Sequence, residues 1–347
     1  MIMPLRLVSA AYEQVVRLRN RGYDAAWFRT RRLERPVISV GNLTLGGTGK
    51  TPAVIALGRM LQGAGYSVSV LLRGYKGRHR GGPLPVSDGR RVRTDSGLAG
   101  DEALVIARNL PGALVTVGKD RARAGRWIES RGAADLHLLD DGFQHRRLHR
   151  CLDLVLVDVT NPFGGGRLAP SGRLREPPEA LRRADAVILT RTRSGQDYDP
   201  LTRQLRRFKP DLPCFLSTQT VEPVARRTAL GETVEAPLAG CRALAFAGLA
   251  NPHQFFDSLR RQGVELVRTL PFGDHHRYSA RELSAIGERC RELRVDTAIT
   301  TEKDAENLPA ASLHPAALRV LIARVSFEIV GDGLRELLLR TLSEESR

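Results

Sequence analysis

The stretch "PVISVGNLTLGGTGKTP", from Pro36 to Pro52, constrains the fold of this chain more than any other. An apolar, β-branched run ends in a glycine-rich loop, and a helical pattern follows. Strand, loop and helix in that order are the context a phosphate-binding loop requires. Gly46, Gly47 and Gly49 let the backbone turn its N–H groups toward one point, an anion nest at a helix N-terminus. Lys50 is expected to reach the β- and γ-phosphates of a nucleotide, and Thr51 to ligate Mg²⁺. Pro52 suits a first helical turn, where a missing N–H costs nothing. Thr44 stands where the usual consensus has glycine, so residues 44–51, with Leu45 and Thr48, form a variant cradle. The bland alternative is a tight turn with an exposed lysine, and the strand–helix context disfavours it.

A P-loop enzyme also needs acids for its metal. "LHLLDDGFQH" places Asp140 and Asp141 at the end of an apolar strand, with Gln144 and His145 directly after. Two adjacent acids there are costly unless they face a cation or basic partners. "AGDEALVIA" puts Asp101 and Glu102 at a helix start. Acids there complement the helix dipole, and Asp101 is also placed to take the proton of an attacking hydroxyl. "FGDHHRY" groups Asp274, His275 and His276 in one turn, too short a cluster to argue a metal site. "LLRGYKGRHRGG" sets Arg73, Tyr75, Lys76, Arg78 and Arg80 in a glycine-rich loop, suited to gripping an anionic substrate. "TTEKD", residues 300–304, ends another strand.

Around these motifs, apolar runs alternate with helical stretches. The runs fall at 36–40, 67–72, 114–117, 136–139, 153–159, 185–190 and 297–301, and helices are read at 52–62, 101–109 and 120–131. The pattern predicts an α/β fold, a parallel sheet of P-loop type covered on both faces. Residues 31–220 read as the P-loop domain, 221–240 as a β-ribbon linker, and 241–347 as a second, smaller α/β domain ending in a helix. Residues 4–30 read as a basic amphipathic helix, with Leu5, Val8, Tyr12, Val15 and Leu18 on one face and Trp27 and Phe28 after it. Such a helix either packs on its own domain or lies in a membrane interface.

Composition narrows the partners. The net charge of +16 over 347 residues implies an anionic partner or an arginine-rich proteome. Aromatics make up 5%, with no regular interleaving of basic and aromatic residues, so no nucleic-acid stacking platform is expected. The four cysteines are widely spaced, which predicts neither a zinc site nor a disulfide framework. No uncharged run is long enough to span a bilayer, and no signal peptide is expected.

"GNLTLGGTGKTP", "RGYKG", "GDEALVIA", "DDGFQHRRL", "GRLREP", "GLANPHQFF", "GDHHRY" and "TTEKD" occur in this order. Together they resemble the tetraacyldisaccharide 4′-kinases, the lipid A 4′-kinases of Gram-negative bacteria, over nearly the whole chain. The resemblance implies ATP and Mg²⁺ as cofactors and an acylated glucosamine disaccharide 1-phosphate as substrate. The product would be lipid IVA, made at the cytoplasmic face of the inner membrane, on its anionic surface. It also implies two α/β domains joined by a ribbon. Asp101 matches the family's catalytic base and His275 its histidine partner, with His276 as the alternative. Because the two lie in different domains, closure between domains is expected. Asp140, Asp141 and Glu102 match acids near the metal, while Arg73, Tyr75, Gln144 and His145 match supports for phosphate or sugar. Gly273 departs from the proline often found before the Asp-His pair. "GGTGKT" also resembles the deviant loop of partition and septum-site ATPases, but Leu45 stands where that class has its signature lysine.

Overall fold

A computed structural model describes residues 2–132, 134–224, 226–228, 231–233, 237–309 and 319–345. The first seven strands are β1 (Val37–Asn42), β2 (Val68–Leu72), β3 (Leu84–Asp88), β4 (Leu114–Val117), β5 (Leu136–Asp140), β6 (Leu152–Asp158) and β7 (Ala186–Thr190). Then follow β8 (Cys214–Val224), the short strands β9 (Arg226–Thr228) and β10 (Gly231–Thr233), and β11 (Arg242–Ala247). The last are β12 (Glu265–Pro271), β13 (Thr297–Thr301) and β14 (Arg319–Ile329). Strands β9 and β10 pair with each other. The other twelve form one sheet in the order β12-β11-β13-β14-β8-β7-β6-β1-β5-β2-β4-β3.

Strands β8 to β4 of this order are parallel neighbours, with β1 central between β6 and β5. Strands β14 to β12 form a second parallel run. The two runs meet at an antiparallel ladder between β14 and β8, from Ile322↔Val224 to Ile329↔Ser217. Two parallel halves of opposite sense therefore share one sheet. Residues 221–240, read as a ribbon, supply the end of β8 and the β9–β10 pair, and some of them lie outside the described residues.

Among the described residues ten α-helices accompany the sheet, from α1 (Ile2–Asp24) and α2 (Lys50–Gly63) through α3 (Ser96–Ala99) and α4 (Asp101–Asn109) to α5 (Arg121–Glu129). The rest are α6 (Asp199–Arg206), α7 (Pro252–Arg261), α8 (Ala280–Glu292), α9 (Glu302–Ala305) and α10 (Gly333–Glu345). The C-terminal α10 packs into the core of the P-loop half. Its Leu334, Leu338 and Leu342 join Phe327 of β14 and the α2 residues Val54, Leu57 and Leu61 in the first core. Three leucines four residues apart give one apolar stripe, and that stripe is buried against the P-loop half.

One glycine explains how the loop after β5 reaches the P-loop. A Cβ at Gly41 would stand 2.6 Å from Phe143 Cβ and 2.7 Å from its backbone nitrogen. Phe143 is fully buried over the end of β1, so the chain after Asp140 and Asp141 folds tightly across it. Glycine at 41 is what permits that approach.

The N-terminal helix differs from the expectation in two ways. It ends at Asp24 rather than near residue 30, because Ala26 turns into the left-handed region at φ 57 and Phe28 folds back on Gly22 and Tyr23. It also docks through a different face, where Val16 is buried among polar residues. Ser9 Oγ accepts from Ser171 N at 2.9 Å, Arg19 donates to Gln144 O at 2.6 Å, and Asn20 Nδ2 donates to Glu176 Oε2 at 2.9 Å. The face read as apolar points outward, with Val15 64% and Leu18 61% exposed, beside Trp27 at 70%.

Replacing Gly41 with Ala is expected to destabilise the protein by about 2 kcal/mol, the cost of overpacking against backbone that cannot retreat. The midpoint of urea unfolding, at an unchanged denaturant slope, checks this.

Candidate active site

The glycine loop closes through main-chain bonds that follow from its sequence. Gly49 precedes α2 in the left-handed region at φ 88, and Gly46 has φ 108. Thr44 needs no such freedom, since its backbone forms an antiparallel bridge with Leu174. Leu45 N donates to Arg173 O at 2.6 Å, and Arg173 Nε returns a bond to Leu45 O at 3.2 Å. From the end of β1, Asn42 Nδ2 donates to Thr44 O and to Thr48 Oγ1, both at 2.8 Å. Gln144 Nε2 donates to Asn42 O at 2.9 Å, bracing the loop from behind.

Lys50 Nζ stands 3.4 Å from Asn42 Oδ1 and 3.7 Å from Asp141 Oδ1. Arg175 forks onto both oxygens of Asp141, with its second bond at 2.9 Å. Burial pushes Asp141 up, but Lys50, Arg175 and Arg121 outweigh it and hold the carboxyl below its ordinary range. Its neighbour goes the other way. Burial, then Glu102 and Asp141, push Asp140 up to about 8. Asp140 Oδ1 is buried and lacks a hydrogen-bond partner among the described residues. A buried, unpartnered carboxylate oxygen next to further acids is what a divalent cation would satisfy. Among the described residues no group of three or more His, Cys, Asp or Glu could hold a metal ion. A cation here would need other oxygens, which suits Mg²⁺ with one or two carboxylates, Thr51 and phosphate oxygens.

Asp101 opens α4 and is buried. His275 Nδ1 lies 2.8 and 2.9 Å from its two oxygens. Glu102 N donates to Oδ1 at 2.8 Å and Asn307 Nδ2 to Oδ2 at 2.8 Å. Burial pushes Asp101 up, yet the bond from His275 and the charge of Lys303 leave it below its ordinary value. His275 holds a left-handed φ of 57, its N–H donates to Gly248 O at 3.1 Å, and the Tyr75 ring sits 5.2 Å away. His276 turns elsewhere, its Nε2 2.9 Å from Glu282 Oε1.

These groups converge on a cavity of about 820 Å³ between the two halves of the sheet. Residues 44–51 line it, with Arg73, Tyr75, Glu102, Asp140, Asp141 and His275. Asp101 lies just behind His275. Gln144 and His145 do not line this cavity. Gln144 supports the loop as above, and His145 faces a separate cavity of about 1160 Å³ with Tyr23, Phe28, Arg29, Arg31, Arg32, Lys119, Arg126 and Arg147. Burial and the nearby cations Arg121 and Arg150 lower His145 to about 3, so it is neutral there. Asn42, Arg175, Lys303 and Asn307 were not singled out by sequence reasoning. "GNLTLGG", "GRLREP" and "TTEKD" carried the first three, but nothing local told which of their polar residues point inward.

The model of the tetraacyldisaccharide-1-P 4′-kinase family matches residues 1–343. The chain belongs to that family. A tetraacyldisaccharide 4′-kinase of Geobacter metallireducens is 42% identical over 304 residues, covering 88% of each chain. That of Geobacter sulfurreducens is 42% identical over 327 residues, covering 92% of this chain and 88% of its own. Among solved structures, LpxK from Aquifex aeolicus in complex with ATP superposes with a TM-score of 0.74 at 30% identity. It covers 96% of this chain and 97% of its own. The P-loop kinase reading of the fold agrees with this likeness.

The Asp140 carboxyl binds its proton more tightly in the fold than in the unfolded chain. That contribution to stability is fully present below about 3.8 and is lost as pH rises through about 8. Asp140→Asn, without nucleotide and with a chelator, should therefore stabilise the protein by on the order of 1–2 kcal/mol at pH 8. Little gain is expected at pH 4, and thermal unfolding across that range checks the sign.

Proposed function

We propose that this protein transfers the γ-phosphate of ATP to the 4′-hydroxyl of a tetraacylated glucosamine disaccharide 1-phosphate. The observation that carries the reading is one cavity lined by a P-loop lysine, an acid pair suited to a cation, and an imidazole backed by a buried carboxylate. The nucleotide's phosphates lie on residues 46–51. Mg²⁺ would be held by Thr51 and the Asp140–Asp141 region, with Glu102 near, and would neutralise charge on the phosphates. Asp101 and His275 act as a pair on the proton of the acceptor hydroxyl, the imidazole lining the cavity and the carboxylate bonded behind it. Lys50 and Arg175 lie where negative charge builds during transfer. Arg73 and Tyr75, which line the cavity, would face the acceptor. Drawing the acceptor between the two halves of the sheet excludes water, which would compete for the phosphoryl group.

The acyl chains of such an acceptor stay in a bilayer, so the protein works at an anionic membrane surface, on the cytoplasmic face of the inner membrane. Two features support this. The outward face of α1 presents Val8, Val15 and Leu18, with Trp27 beside it. Next to it the second cavity collects Arg29, Arg31, Arg32, Lys119, Arg126 and Arg147 against the single acid Asp120. Apolar side chains beside a basic surface are the makings of interfacial binding, at about 1 kcal/mol per well-placed cation. No helix among the described residues is long and apolar enough to cross a membrane.

The direct test is incubation with γ-labelled ATP and tetraacyldisaccharide 1-phosphate in detergent, following label into the lipid. Asp101→Ala is expected to lower kcat at least about 100-fold, and activity within a few-fold of the parent would remove Asp101 from the role of base. For the membrane reading, the Val15→Glu, Leu18→Glu double variant should lose cosedimentation with anionic vesicles while keeping detergent-assayed activity. Undiminished cosedimentation would show that this face does not meet lipid.

A further inference from the structure

Strand order fixes which way a nucleotide on residues 46–51 runs. On one flank of β1, strands β5 and β2 bring up Asp140, Asp141, Arg73 and Tyr75, and His275 of the second half lines the same cavity. An in-line transfer sets the acceptor and the departing nucleoside diphosphate on opposite sides of the phosphorus. The nucleoside therefore leaves over the other flank, where β6 ends in Asp158 and β7 in Thr190. The cavity continues there. Arg191, Thr192 and Arg193 line it from the P-loop half, and Asn251 and Gln254 line it from the start of α7.

Arg191 follows β7 directly and holds a left-handed φ of 64. That is an uncommon conformation for a residue with a side chain, and it persists where the surroundings over-determine it. Both terminal nitrogens of its guanidinium are held. Nη1 pairs with Asp158 Oδ2, and Nη2 donates to Gly47 O at 2.5 Å. Both bonds lie in the plane of the group, so together they fix that plane. Burial lowers Arg191 to about 10, which leaves it a cation at neutral pH. In a trans peptide the C=O points away from the N–H, so a nest that turns its N–H groups inward turns its carbonyls outward. A guanidinium bonded to the Gly47 carbonyl thus stands outside the phosphate cradle. Arg193, two residues on, has no such mount. It is exposed, its backbone N–H donates to Tyr198 Oη at 2.8 Å, and no bond fixes its guanidinium among the described residues.

A planar, delocalised cation held in one orientation is a stacking surface for an aromatic ring. We propose that Arg191 is the residue that seats the nucleoside: its guanidinium plane is the platform for the base, and its bond to Gly47 O sets that platform's distance from the phosphates. This rests on the nucleotide site of the proposed function. It assigns the base to the ends of β6 and β7, with the start of α7 closing over it from the second half. Asp158 then serves as the strut that keeps the plane from turning.

The test is calorimetric titration of the full-length protein in detergent, with Mg²⁺-ATP and separately with Mg²⁺-tripolyphosphate, which carries the phosphates and no nucleoside. The quantity read is the ratio of the two dissociation constants, because a lost charge or a disturbed cradle weakens both ligands and cancels. The parent should bind ATP about tenfold more tightly than tripolyphosphate, the scale of one base stacked on one side chain. In Arg191→Met that advantage should shrink to within about threefold. Arg191→Gly should behave alike, and its backbone suits φ 64, so it serves if the methionine variant does not fold. An arginine that gripped the phosphates instead would weaken both ligands together. An unchanged ratio in a folded variant therefore overturns the proposal, and so does a parent that binds the two ligands alike. The expected shift in ratio, with no label entering the lipid in the parent, would count against the kinase reading alone.

Discussion

Two adjacent carboxylates end β5, and only one of them has a cation of its own. Asp141 is matched by Arg175 and Lys50, while Asp140 faces Glu102 and Asp141 across a short, poorly solvated distance. Like charges brought together in a buried place cost free energy that the apo protein does not recover locally. The surrounding architecture keeps them there. Gly41 lets Phe143 close over the strand end, Asn42 ties the P-loop to the same point, and Gln144 props Asn42. Each is a small constraint, and together they hold an acid with an unpartnered buried oxygen within reach of the loop that would carry phosphate and metal.

The second condition is geometric. A parallel P-loop half brings its strand ends to one edge, and so does a second parallel half. The antiparallel ladder between β8 and β14 joins them in a single sheet. The C-terminal helix α10 then packs into the core under the P-loop helix, so the two halves share apolar contacts as well as backbone bonds. This is how Asp101, from a helix of the first half, meets His275 and Asn307 from the second at hydrogen-bond distance. The pair is already made in this structure, between residues 174 positions apart in sequence.

Much of this was legible in the chain. The P-loop, its strand and its helix are local, and local chemistry announces them: glycines where positive φ is needed, an apolar run before, a helix former after. The acids at 101, 102, 140 and 141 sit at element ends, where sequence alone can place them. What could not be read depends on distance. Nothing near Lys303 says that it will face an imidazole 28 residues before it, and nothing near Arg175 says that it will fork onto Asp141. Gln144 and His145 follow the acid pair directly, yet the tight passage over Gly41 turns one beneath the loop and the other into a different cavity. Thr44 looked like a defect in the consensus. Its bridge to Leu174 shows an extended residue that had no use for glycine.

The first helix shows the limit of periodicity most clearly. A moment of apolar residues tells that a helix has two faces, but not which of them the fold covers. Here the protein covers the face of Ser9, Val16, Arg19 and Asn20, and leaves Val15 and Leu18 outside. That arrangement is poor for stability in water, since exposed apolar surface gains nothing on folding and invites association. It becomes consistent once the outer face has an apolar solvent to meet. The anchoring bonds reach Gln144, Ser171 and Glu176, which flank the acid pair and the Arg175 that answers it. A helix held this way reports its position directly to the loops around the site. Under the proposed function, the orientation of the protein on a membrane surface and that of its cavity toward an acceptor in that surface would be one constraint rather than two.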